Sequence, residues 1–75
     1  MERAERALEV IARVARVEVG RVEPGMDLVA DLGLDSARAL ELLVELEDTL
    51  GVEIGDEDAA RLNTVGDILD YLRKR

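Results

Sequence analysis

Asp31-Leu32-Gly33-Leu34-Asp35-Ser36 marks the place where an irregular stretch of chain gives way to a helix. Gly33 permits a tight turn at little steric cost, and Leu32 and Leu34 on either side can anchor it. Asp35 is suited to cap the following helix, because its carboxylate accepts backbone N–H groups that have no partner inside the helix. Ser36 then falls in the first turn, at the positive end of the helix dipole, where an anionic group is favoured.

Downstream, residues 36–50 read as one helix. On a wheel of about 100° per residue, Leu42, Leu46, Ala39, Leu50 and Leu43 share one arc, which is expected to face the core. Ala37, Leu40 and Val44 fall elsewhere, interleaved with Glu41, Glu47 and Asp48. A carboxylate within an apolar arc argues against burial of that arc. Leu40 and Val44 are therefore expected to be at least partly exposed, next to Ser36 and ringed by three acids. An apolar centre with a charged rim suits transient docking. The plainer alternative is that both residues flank the core and the acids form a solvated face.

Upstream, residues 2–18 show helical spacing of Ala4, Ala7, Leu8, Ile11, Val14 and Ala15, with Gly20 as the expected end signal. This helix reads as structural. Residues 19–35 form a long loop punctuated by Gly20, Pro24, Gly25 and Gly33, and a loop this long in a small domain is often functional. Val22, Met26, Leu28, Val29, Leu32 and Leu34 can pin it to the bundle. Asp27, Asp31 and Asp35 recur every fourth residue, but not at the spacing of a calcium loop. Turn and cap roles are expected for them, and no metal site.

Beyond the central helix, Gly51 is expected to end it in the left-handed conformation. Val52-Glu53-Ile54 reads as a short extended link with apolar residues turned inward. Asp56 can cap a brief third helix over about residues 57–62, which contributes Ala59, Ala60 and Leu62 to the core. Thr64 and Asp67 resemble a capping box. The last helix is expected to reach Lys74, with Val65, Ile68, Leu69 and Leu72 as its apolar stripe and Arg73, Lys74 and Arg75 at its negative dipole end. Tyr71 is expected to pack with its hydroxyl at the rim. The fold class is all-α: a small four-helix bundle, with three longer helices and one short one, and a long loop between the first two. Residues 1–75 are expected to form a single domain.

Composition narrows the chemistry. A chain of 75 residues buries only roughly 60% of its unfolded surface. Hydrophobic residues make up 48% of it, enough for a core, and Tyr71 is the sole aromatic. An almost wholly aliphatic interior can be soft and expandable. Without Cys there is no disulfide, thiolate metal site or protein thiol; without His there is no Ser–His triad. No apolar run approaches the ~20 residues of a membrane span, and the start lacks a signal-peptide core. A soluble, cytoplasmic protein without membrane association is expected.

The net charge of −8 is uneven: residues 1–22 carry +1, residues 23–72 carry −12, and the last three add +3. This argues against nucleic acid and favours partners with basic patches, although acid also simply maintains solubility. Carboxylates on solvated helical faces do not form an acid–base pair, so the chain is not expected to be an enzyme. Ser36 has no base within the chain and can be modified only by another protein.

Asp31-Leu32-Gly33-Leu34-Asp35-Ser36, the acidic Leu-Glu-Leu helix and Leu50-Gly51-Val52-Glu53-Ile54 together resemble the acyl carrier proteins, over about residues 10–71. The resemblance implies that Ser36 bears 4′-phosphopantetheine, with Asp35 as the cap beside it. It also implies transfer of that group from coenzyme A by a phosphopantetheinyl transferase, and acyl groups held as thioesters on the arm. The carrier would then shuttle them between enzymes of fatty-acid, lipid or polyketide synthesis. Ala37, Arg38, Leu40, Glu41, Val44, Glu47 and Asp48 stand at the family's partner contacts. Leu46, Ile54, Ala59, Leu62 and Ile68 are candidates to line an acyl pocket. A monomer is the family default. Ala37 and Arg38 depart from the leucine and acid usual after the serine in housekeeping members, which points to a specialised member. An aminoacyl or peptidyl carrier, or a helical interaction module without prosthetic group, remain alternatives.

Overall fold

The computed structural model describes residues 2–74, with side chains from Arg3 onward. Four helices follow one another: α1 (Glu2–Ala15), α2 (Ser36–Leu50), α3 (Asp56–Ala59) and α4 (Val65–Arg73). A single 3-10 turn, Val19–Arg21, lies in the loop between α1 and α2. The all-α, four-helix architecture is the one expected. Its core comes from one face of each long helix: Ala7, Val10, Ile11, Ala12 and Val14 of α1, Leu42 and Leu46 of α2, and Val65, Ile68 and Leu72 of α4. Val22, Leu28 and Leu34 of the loop complete it.

Local signals act as expected at three places. Gly51 ends α2 at φ 67, where its N–H donates to the Glu47 carbonyl at 2.9 Å. Such a positive φ costs glycine little and a side-chain-bearing residue more. Thr64 and Asp67 form a full capping box at the start of α4: Thr64 Oγ1 accepts from the Asp67 N–H, and Asp67 Oδ2 accepts from the Thr64 N–H, both at 3.1 Å. Asp67 Oδ2 also accepts from the Asn63 N–H at 3.0 Å. These backbone donors hold the Asp67 carboxyl below its ordinary pKa, because they stabilise the ionised form.

Elsewhere the expected boundaries shift. Helix α1 ends at Ala15, not at residue 18, and Gly20 has no part in ending it. The terminator is Arg16, at φ 61. The Val17 N–H donates to the Ala12 carbonyl and the Arg16 N–H to the Arg13 carbonyl, the paired bonds of a Schellman motif. Asp56 is the first residue of α3 rather than its cap; the cap position is Gly55, and no side chain bonds there. Helix α3 stops at Ala59, and the chain continues to Leu62 in turns.

The loop before α2 is tied to the start of α4. Leu28 N–H donates to the Asn63 carbonyl at 2.9 Å, and Val65 N–H to the Met26 carbonyl at 3.0 Å. Gly66 N–H donates to the Pro24 carbonyl at 2.8 Å, and a β-carbon at Gly66 would lie 3.0 Å from that oxygen. Glycine at position 66 thus permits the close approach. Val29, expected to pin the loop, instead points outward and is 61% exposed.

Candidate functional site

The three aspartates of the loop build the platform for Ser36. Asp27 Oδ1 accepts from the N–H groups of Val29 and Ala30, at 2.9 and 2.8 Å. Asp31 Oδ2 accepts in return from the Asp27 N–H at 2.7 Å. This is the reciprocal logic of a capping box, used here to fold a loop. Gly33 follows at φ 72, and the Leu34 N–H closes onto the Leu28 carbonyl at 3.1 Å. Asp35 then caps α2 as expected, with Oδ1 accepting from the Arg38 N–H at 2.8 Å. All three aspartates therefore serve the backbone.

Ser36 is the first residue of α2 and is exposed. It stands at the lip of an open cleft of about 390 Å³. Leu28, Val29, Leu34, Ala39 and Leu62 supply its apolar lining, and Asp27, Asp35 and Asn63 its polar part. That volume falls within the range of small-ligand sites. An exposed hydroxyl beside an apolar cleft fits a group that is covalently anchored at one end and carries an apolar cargo at the other.

The outer face of α2 divides the expected docking residues. Leu40 is 63% exposed and Val44 53%, as the helical wheel requires, and Ala37, Glu41 and Asp48 are exposed beside them. Glu47 and Arg38 behave differently. Glu47 Oε2 accepts from the Ile54 N–H at 2.7 Å, which ties the end of α2 to the link that follows. Arg38 Nη1 donates to the Val14 carbonyl oxygen at 3.0 Å, across to the end of α1. Glu45, not singled out from the sequence, pairs with Arg13 at 2.9 Å.

The five acyl-pocket candidates are not gathered in the cleft beside Ser36. Leu46 and Ile68 are fully buried in the core, Ile54 packs against it, and Ala59 is half-buried on α3. Only Leu62 lines the cleft. Leu28 and Leu34 were legible as apolar anchors and Ala39 as part of the core-facing arc of α2, but nothing in their spacing placed them around Ser36.

The family model described as the phosphopantetheine attachment site matches residues 5–72. The chain belongs to this family. Among curated proteins it is 44% identical to a meromycolate extension acyl carrier protein of Mycolicibacterium aurum, over 66 residues that make up 88% of this chain and 68% of that one. The corresponding protein of Mycobacterium leprae is 42% identical, and the match spans 57% of its length. Among solved structures, an acyl carrier protein from Enterococcus faecalis superposes with a TM-score of 0.77 at 35% identity, covering 95% of this chain and 90% of that one. A candidate acyl carrier protein from Mycobacterium tuberculosis superposes with a TM-score of 0.83, also at 35% identity, covering 93% and 95%. The chain is an acyl carrier protein, and its cofactor is covalently attached 4′-phosphopantetheine. Acyl carrier proteins are carriers rather than catalysts, and they work with a phosphopantetheinyl transferase and with acyl-handling enzymes. No helix among the described residues is long and apolar enough to cross a membrane.

Proposed function

We propose that Ser36 is the attachment serine, and that the carrier docks to its enzymes through the outer face of α2. The observation that carries this reading is an exposed hydroxyl on the first residue of α2, at the lip of an apolar cleft. The Ser36 oxygen bonds to the coenzyme A phosphorus that bears the pantetheine, the pyrophosphate P–O bond breaks and adenosine 3′,5′-bisphosphate leaves, while the serine proton goes to a base that the transferase supplies. Asp35 holds the first turn in place by accepting the Arg38 N–H. When bound, the arm supplies the thiol that holds an acyl group as a thioester. Leu28, Leu34, Ala39 and Leu62 offer that acyl group partial shelter from water.

Leu40 and Val44 form the apolar centre of the docking face, with Ala37, Glu41 and Asp48 around them. Partners with basic patches suit this face. The carrier acts as a cytoplasmic monomer, a reading supported by the apolar residues of α1 and α4 being spent on its own core. Similarity to proteins named for meromycolate extension supports service in the extension of lipid acyl chains by a specialised carrier. Full exchange with a housekeeping carrier in a reconstituted fatty-acid synthase would contradict the specialised role.

The test of the site is intact mass before and after incubation with coenzyme A, magnesium and a broad-specificity phosphopantetheinyl transferase. Wild type is expected to gain one phosphopantetheine and Ser36→Ala none. A gain by Ser36→Ala, or none by folded wild type alongside an active control, would overturn the assignment.

A further inference from the structure

Arg38 is the basic residue in the first turn of α2, and it makes two bonds of different kinds. Its backbone N–H donates to Asp35 Oδ1 at 2.8 Å, inside the cap that starts α2. Its guanidinium Nη1 donates to the Val14 carbonyl oxygen at 3.0 Å. Helix α1 ends one residue after Val14, so that carbonyl is among the last four, which have no partner within their own helix. It also lies at the negative end of the α1 dipole, where a cation is favoured. Arg38 is half-buried, unlike the exposed Ser36, Ala37 and Leu40 around it. One side chain thus satisfies the end of α1 and holds the beginning of α2, two residues from Ser36.

We propose that Arg38 is a positioning residue for Ser36: by fastening the first turn of α2 to the end of α1, it fixes where the serine hydroxyl stands when the transferase presents coenzyme A. This rests on Ser36 being the attachment serine. The charge at position 38 is turned towards α1 and is not offered to partners. An anchored first turn matters because small misplacements of a reacting atom cost large factors in rate. Arginine suits the task better than the shorter lysine, since its fork reaches a carbonyl across the interface while its stem packs along the seam.

The experiment measures steady-state transfer of phosphopantetheine to wild type, Arg38→Ala, Arg38→Lys and Ser36→Ala, below the melting temperature of each. Ser36→Ala must remain unmodified; if it is modified, the attachment assignment fails, and this inference fails with it. With that control in place, Arg38→Ala is expected to lower kcat by about three- to tenfold with KM nearly unchanged. Arg38→Lys, which keeps the charge but not the reach, is expected to restore only a minor part of the loss. Amide hydrogen exchange gives a readout independent of activity. In Arg38→Ala the N–H groups of residues 38 and 39 should exchange about fivefold faster, while those of residues 46–50 keep their rates. A change in KM alone would mean that the transferase reads the charge of Arg38 directly. A uniform rise in exchange with kcat unchanged would mean a purely structural bond. Either outcome overturns the proposal.

Discussion

Two irregular segments flank α2, and they are held in opposite ways. The segment before it, residues 16–35, buries Val22, Leu28 and Leu34, and its Asp27 and Asp31 accept N–H groups of its own backbone while Asp35 caps α2. The segment after it, residues 51–64, has no fully buried residue; Val52, Ile54, Ala59 and Leu62 are all half-buried. It leans on side chains of its neighbours: Glu47 on the Ile54 N–H, and Tyr71, whose hydroxyl lies 3.1 Å from both the Glu53 carbonyl and Asp58 Oδ2. Fewer buried apolar contacts mean easier local opening. The firm segment presents Ser36 and supplies most of the cleft beside it, and the looser one adds Leu62 and Asn63 to that cleft.

The largest expected effect tests this contrast directly. Leu28→Ala should destabilise by about 2–4 kcal/mol, as for a fully buried leucine, whereas Leu62→Ala should cost about 1 kcal/mol. Urea denaturation of the two variants measures the difference, and equal losses would abolish the distinction between the segments. Tyr71→Phe should cost about 1 kcal/mol and loosen the later segment selectively. Faster amide exchange over residues 53–62, with unchanged rates over residues 27–35, is the signature to look for. Arg16→Gly should stabilise by up to about 1 kcal/mol, because arginine occupies a left-handed position there. A rise in melting temperature checks it, and a fall would show that the Arg16 side chain holds something in place.

The smallest effect concerns pH. The Asp67 carboxyl has a folded pKa below its ordinary value of 3.8, so its stabilisation is fully present above that value. It is lost as pH falls from about 4 through the lower folded pKa. Asp67→Asn keeps an oxygen acceptor but cannot titrate. Between pH 5 and pH 2.5 its stability should therefore fall less than that of wild type, as read by denaturation at each pH; parallel curves would contradict the assignment.

What could be read in one dimension is what neighbouring residues decide among themselves. The apolar period of α2 announced both its buried face, with Leu42 and Leu46 inside, and its exposed one, with Leu40 and Val44 outside. The Asp35 cap, the Gly51 terminator and the Thr64–Asp67 box each close over a few residues, so their donors and acceptors are adjacent in the chain. The run ending in Asp35-Ser36 was enough to mark the family. Less legible were the end of α1, where an arginine took the position that glycine usually fills, and the exposure of Val29, since an apolar residue in a loop carries no period to show its direction.

Tertiary packing alone decided which polar side chains remain available to partners. Arg38 finds a carbonyl 24 residues away, and Glu47 an N–H seven residues on in another segment. Long, rotamer-rich side chains are drawn to whichever unsatisfied backbone group the fold brings within reach, at a helix end for Arg38 and in the link after α2 for Glu47. The sequence by itself determined the four-helix class, the Asp35 cap before Ser36 and the two faces of α2. The meeting of the end of α1 with the start of α2 determined that the residue two places after the serine turns towards the bundle, because an unpartnered carbonyl at a negative helix end favours a nearby cation.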